Sequence, residues 1–303
     1  MTTRKLFLQN TAILVAGAMT SWAFDFSKKK PMLSFSTLGC PDWSFEKITD
    51  FAAEHGYQGI EVRGILRQLD LLQCPQFNTA SSRKTTIRIL KDKGLRLAGL
   101  GSSATLHFAA RAERQKNLDE GKQYIDLAEQ TGCPYVRVFP NNFPKDQGRD
   151  QTIDLISRGL LELARHAEGS AVTVLMETHG DLVKADDLLT VMGAAAHKNA
   201  GLVWDISNMW TITKEPPAEV FGKLNQYIRH THFKDAKIIE GKPQYTLLGE
   251  GEVPVFAAID ELIRHDYQGY YSFEWEKLWH PGIAEPEVAL AHYPGVMRQY
   301  FNK

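Results

Sequence analysis

Between Pro31 and the C-terminus, eight short β-rich runs alternate with amphipathic, helix-like runs, and this alternation restricts the fold more than any other feature of the chain. The strand candidates are LSFSTLG (33–39), GIEVRG (59–64), RLAGLGSSA (96–104), YVRVFP (135–140), AVTVLMETH (171–179), GLVWDISN (201–208), IRHTHFKD (228–235) and GYYSFEWE (269–276). SFEKITDFAAEHG, SRKTTIRILKDKG and VFAAIDELIRHD are among the helical patterns between them. Several of these close on Gly or Asn just before the next strand, as helix C-termini do. Strict alternation argues for a parallel sheet. Eight units in one chain of this length predict an α/β fold, a single (β/α)8 TIM barrel over residues 31–303. An open doubly wound sheet is the alternative, but it would usually carry a glycine-rich phosphate loop after its first strand, and STLGCPDWSFE is not one. The longest interruption, IIEGKPQYTLLGEGEVP (238–254), follows the seventh strand and predicts a hairpin over the barrel mouth.

Charge narrows the partners. With 35 basic against 36 acidic residues, no electrostatic footprint for nucleic acid shows. Cys40, Cys74 and Cys133 lack C-x-x-C spacing and read as isolated thiols. Residues 1–30 read as an export signal and linker. An Arg4-Lys5 pair precedes an apolar run from Ala12 to Met19, and Ala16-Gly17-Ala18 and Ser21-Trp22-Ala23 offer small-residue cleavage sites. That run is too short to span a bilayer, so no stable membrane insertion is expected once the signal is removed. TTRKLFLQ resembles a twin-arginine signal with lysine in place of the second arginine, which points to the periplasm. A cytoplasmic protein with a floppy or docked N-terminal helix is the alternative.

In such a barrel the active site lies at the C-terminal ends of the strands. The polar residues there are Glu61 and Arg63 on the second strand, His107 past the third, Arg137 on the fourth, and Glu177 and His179 on the fifth. Asp205 and Asn208 follow on the sixth, His230, His232 and Lys234 on the seventh, and Glu274 and Glu276 on the eighth. Charged residues ending apolar strands are costly unless paired or bound to metal. Glu177, Asp205, His232 and Glu274 would offer three oxygens and one nitrogen, a set that suits Mn²⁺, Mg²⁺ or Co²⁺ and leaves Zn²⁺ open. Period-two geometry leaves either histidine, and either glutamate, free to face the centre.

METHGD, WDISN, HTHFKDAK, LGEGEVP and YYSFEWE, in this order and spacing, together resemble the xylose-isomerase-like barrel superfamily of sugar-phosphate isomerase/epimerase-type proteins. The resemblance covers nearly all of residues 32–300. It implies a divalent metal, Mn²⁺ favoured, on Glu177, Asp205, His232 and Glu274, a small-molecule carbohydrate substrate, and a homo-oligomer. One departure stands out. Relatives often carry D-x-x-H on the sixth strand, where this chain has Asp205-Ile-Ser-Asn208, and asparagine can hydrogen-bond a hydroxyl but cannot trade protons near neutral pH. The endonuclease-IV branch fits less well, since DNA would want a basic surface.

The expected chemistry is sugar isomerisation or epimerisation through an enediolate, with the metal as Lewis acid and template. Glu177 and Glu274 are the expected base and acid, and Arg137, His107, Asn208 and Lys234 the expected substrate contacts. The same apparatus would also serve a dehydratase or lyase acting on a keto-sugar, keto-glycoside or inosose. A non-catalytic carbohydrate-binding barrel is the third reading, although it would need no matched acid and base. His232 needs a partner for its other ring nitrogen, which the sequence does not name. Glu61 and Arg63 read as an interstrand ion pair. Glu276, His280 and Lys184 read as rim residues, and Trp43, Trp204, Trp210, Trp275 and Trp279 as core, with those near strand ends able to stack on a sugar.

Overall fold

All eight predicted runs become strands. In the computed structural model, which describes residues 30–303, they are β1 (Met32–Ser36), β2 (Gly59–Val62), β3 (Arg96–Thr105), β4 (Tyr135–Phe139), β5 (Thr173–Glu177), β6 (Ala200–Asp205), β7 (Ile228–Phe233) and, after the hairpin strands β8 (Asp235–Ile239) and β9 (Lys242–Thr246), β10 (Tyr270–Phe273). They close in the order β1-β10-β7-β6-β5-β4-β3-β2, every adjacent pair parallel. The export-signal reading falls on residues outside the described part of the chain. Among the described residues no helix is long and apolar enough to cross a membrane, and the three cysteines are free and buried.

Helices α1 (Phe45–Glu54), α2 (Ala80–Asp92), α3 (Arg111–Thr131), α4 (Arg149–His166), α5 (Ala185–Ala194), α6 (Ile206–Thr213), α7 (Pro217–Leu224), α8 (Val255–Arg264) and α9 (Pro286–Phe301) carry the chain between strands. The sequence reading expected eight. Among the described residues there are nine, because the segment after β6 splits: Lys214 turns left-handed (φ 57°), and Pro216 and Pro217 restart a helix with proline in its first turn, where the missing N–H costs nothing. The apolar stripes behave as their spacing demands. Ile48 and Ala52 of α1, and Val255, Ala258, Ile259 and Leu262 of α8, are buried. Ser44 caps α1 by accepting from the Lys47 N–H.

In the strands, alternation separates two environments. Ile60 and Val62 of β2 are buried apolar residues, whereas Glu61 between them bonds to histidines of β7. Since β1 and β10 stand between β2 and β7 in the barrel order, that contact spans the interior, and the polar members of these strands point inward. Trp43, Trp204 and Trp275 are core, while Trp279 is 53% exposed in the loop after β10.

The predicted hairpin exists but starts earlier than expected. β8 and β9 pair antiparallel from Asp235 to Thr246, turning at Glu240 (φ 50°) and Gly241 (φ 76°), the conformations a tight two-residue hairpin turn needs. Residues 247–254 form a loop instead, tied down by Asp235. Its carboxylate accepts the N–H groups of Ala236, Gly249, Gly251 and Val253 at 2.8, 2.9, 3.0 and 3.2 Å.

Candidate metal and active site

The cluster grows from strand ends. Glu177 is the last residue of β5 and His232 sits one position before the end of β7. Glu274 follows β10, its N–H held by the Phe233 carbonyl at 3.0 Å. Asp205 ends β6 and simultaneously caps α6, its Oδ1 accepting the Asn208 N–H at 2.8 Å. WDISN is therefore a strand running directly into a capped helix, the local pattern that fixes the Asp205 carboxylate. All four side chains are buried, and one donor atom from each lies within 4.8 Å of the others.

The residues fit a divalent cation. Glu177 Oε2 and His232 Nδ1 are both buried without a hydrogen-bond partner, stand 3.8 Å apart, and His232 Nδ1 lies 3.3 Å from Glu274 Oε1. Orphaned buried acceptors are expensive, and a cation bound among them relieves that cost. Three carboxylates with one imidazole are an oxygen-rich set of the kind hard or borderline divalent ions take.

Lys234, expected as a substrate contact, is buried instead among carboxylates. Its Nζ stands 2.7 Å from Asp205, 2.5 Å from Glu274 and 2.6 Å from Glu276. Burial works against the ammonium, but Asp205, Glu274 and Glu276 outweigh it and hold Lys234 well above its usual range. Burial likewise opposes ionisation of Glu274, yet His232 and Lys234 hold it well below the ordinary carboxylate range. Burial raises Asp205, and Lys234 offsets only part of that. Glu276, read as a rim residue, closes this network, also accepting from Tyr245 at 3.2 Å.

Glu61 is the residue that sequence reasoning placed wrongly. It does not pair with Arg63, which instead donates to Ser103 Oγ at 2.9 Å and the Leu69 carbonyl at 3.4 Å. Glu61 Oε2 lies 2.8 Å from His230 Nε2 and 2.9 Å from His232 Nε2, and Ser272 donates to it at 3.3 Å. An ionised carboxylate only accepts, so a proton sits on His232 Nε2, and Nδ1 is the nitrogen left to offer a lone pair to an ion in the cluster. Burial opposes the Glu61 charge, but His232 and His230 together keep its carboxyl far below the usual range. Glu61, His230 and His232 also come within ligating distance of one another. Hydrogen bonds already close that trio, so it reads as support for His232 rather than a second ion site. Glu61→Gln is expected to weaken divalent-metal affinity about 10- to 100-fold, measured by competition with a chelating dye. Unchanged affinity would show that His232 needs no such support.

The remaining candidates divide. Arg137 Nε stands 3.2 Å from Glu177 Oε2 without hydrogen-bond alignment. Its Nη1 donates to the Ser102 carbonyl at 2.9 Å, and its guanidinium lies over the Phe139 ring at 3.8 Å. Asn208 Nδ2 reaches Glu177 Oε1 at 3.5 Å. His107 and His179 pack against Phe108 and Phe139, outside the four-residue cluster.

Comparison with known proteins gives four findings. A family profile described as the xylose isomerase-like TIM barrel matches residues 49–298. A 3-dehydroshikimate dehydratase of Bacillus anthracis is 28% identical over 253 residues, spanning 77% of this chain and 85% of that protein. A fructoselysine 3-epimerase of Shigella flexneri is 22% identical over 166 residues, 53% of this chain and 59% of that one. Among solved structures, a probable 3-DHS dehydratase of Bacillus anthracis superposes with a TM-score of 0.72 at 21% identity, covering 88% of this chain and 98% of that one.

Proposed function

Because the chain belongs to the xylose isomerase-like TIM barrel family, we propose that it is a divalent-metal-dependent enzyme that removes a proton from the carbon beside a carbonyl of a small polyhydroxylated substrate. The observation that carries this reading is Glu177 Oε2 facing His232 Nδ1 at 3.8 Å, neither with a hydrogen bond, within the four-residue donor set. When bound, the ion, with Mn²⁺ favoured, supplies Lewis-acid stabilisation of the oxygens that gain charge as the proton leaves. Glu177 is the base, with an oxygen free of hydrogen bonds and Arg137 and Asn208 orienting its carboxylate. Glu274 is the second acid/base group, held by Lys234. Return of the proton elsewhere makes the enzyme an isomerase or epimerase.

Dehydration is the second reading, favoured by two observations. The Bacillus anthracis relative is a dehydratase. The two glutamates are also unequally held, Glu274 by Lys234 and Glu177 by no closed hydrogen bond at Oε2; epimerisation wants a matched pair, whereas loss of water needs two unlike groups, a base for the C–H proton and a donor that protonates the departing hydroxyl. The N-terminal apolar run and its basic pair support export to the periplasm, and with it a free or glycosidically linked substrate rather than a phosphorylated one.

The test is proton exchange. The Mn²⁺-loaded protein in D₂O is followed by NMR on ketoses, aldoses, inosose and 3-keto-glycosides. Deuterium is expected to enter one substrate class, and the product separates epimer from dehydrated sugar. Tight binding of metal and sugar with no exchange on any of them would favour a carbohydrate-binding barrel and sink the enzymatic reading.

A further inference from the structure

We propose that Arg63 and Arg137 form an oxyanion subsite, so that the molecule processed at the Glu177–Glu274 cluster is a carboxylate-bearing sugar or hydroxy-keto acid; this rests on the proton-abstraction reading above. The two arginines come from β4 and from the residue just after β2, on either side of β3, and are only 6% and 4% exposed for Arg63 and Arg137. β3 makes room for them with Gly101. A Cβ there would stand 2.8 Å from Arg63 Cδ and 3.0 Å from Arg137 Nη2, so the two arginine side chains pass close over a position that tolerates no side chain.

Arg137 has Glu177 Oε2 at 3.2 Å as its counter-charge, whereas the partners of Arg63 do not balance its charge. Arg63 donates to a hydroxyl and a backbone carbonyl, both neutral. Arg137 donates to the Ser102 carbonyl, and its Nε is buried with no hydrogen bond. The carboxylates whose fields reach Arg63 are Glu120 and Glu177. Glu120 already accepts the Ser103 N–H at 2.6 Å, and Glu177 belongs to the metal-ligating set. A second buried cation beside the Arg137–Glu177 pair is unfavourable, and burial together with the Arg137 charge lowers Arg63 to about 10. Guanidinium stays charged near neutral pH, and its planar fork matches a carboxylate bidentately. Arg137 also touches Glu177, the base, at 3.2 Å. The subsite therefore abuts the reacting centre, and anion and acidic C–H belong to one small molecule.

The experiment compares matched pairs on the Mn²⁺-loaded full chain by isothermal titration: D-glucuronate against D-glucose, D-tagaturonate against D-tagatose, and D-fructose 6-phosphate against D-fructose. The uronates are expected to bind about 10- to 100-fold more tightly than their neutral parents. Arg63→Lys keeps a charge but loses the fork. It should erase most of that preference while leaving Mn²⁺ affinity and the melting temperature in place, which separates recognition from folding. Equal binding of acid and neutral sugar, or a loss in Arg63→Lys shared by both, overturns the subsite. A preference confined to the phosphate ester overturns the carboxylate assignment. Acid preference without C–H exchange in D₂O on the bound uronates supports the subsite and removes the proton-abstraction reading. Exchange on neutral sugars alone does the reverse.

Discussion

Glu177→Gln is expected to lower the rate of substrate C–H exchange by about 10²- to 10⁴-fold, the range a positioned general base contributes, while weakening metal affinity less. Glutamine keeps an oxygen for the cation and the side-chain volume in a fully buried position, but it cannot take a proton. Glu274→Gln should behave differently. Glu274 holds the Lys234 ammonium at 2.5 Å and lies 3.3 Å from His232, so neutralising it loosens the lysine and the ligand set together. Metal affinity and exchange should then fall in step. The discriminating measurement is the pair of ratios, exchange rate against metal affinity, for each variant. Equal ratios would show that Glu177 serves only as a ligand.

Asp235→Ala should give the largest loss of stability among single substitutions in the hairpin region. The carboxylate gathers four backbone N–H groups from Ala236, Gly249, Gly251 and Val253. Leaving such donors unpaired costs about 1–3 kcal/mol each when buried. Allowing for water reaching some of them, a net loss of about 3 kcal/mol and a fall in Tm of about 5–10 °C are expected. Limited proteolysis should find new cuts within 247–253. Asp235→Asn, which keeps one acceptor oxygen, should lie between the two. A melting curve matching the parent's would mean that the loop is held by packing alone.

The barrel was readable because its signal is local. Each β-rich run and each helical stripe repeats within a dozen residues, and parallel closure follows from alternation. Glu177, Asp205, His232 and Glu274 were also recoverable, as strand-end residues resembling a known pattern, and the structure brings them within 4.8 Å of one another. What escaped was contact across the barrel. Glu61 and His232 are separated by 171 residues, and no periodicity relates them; the one available hint was that Glu61 interrupts an otherwise apolar β2 on its inward face. The partners of Lys234 escaped for a similar reason. Sequence puts it on the inward face of the seventh strand but says nothing of Asp205, Glu274 and Glu276 converging on it. The hairpin was placed three residues late because HFKDAKII reads as a continuous strand. The chain leaves the barrel at Lys234, and Asp235 turns to serve the loop.

Asp205 carries two jobs at once, ligand geometry and the first turn of α6. That pairing sets an order in which such a site would erode. If the barrel were released from catalytic demand, Glu177 could change to a neutral residue once Arg137, its buried ion partner, was also replaced, and Glu274 could follow once Lys234 was also replaced. Asp205 would persist, because replacing it also leaves a helix N-terminus uncapped. A descendant that had lost its chemistry would therefore still display one member of the old ligand set as a relic of folding, and a lone strand-end aspartate of this kind says more about how a helix begins than about whether an ion is held.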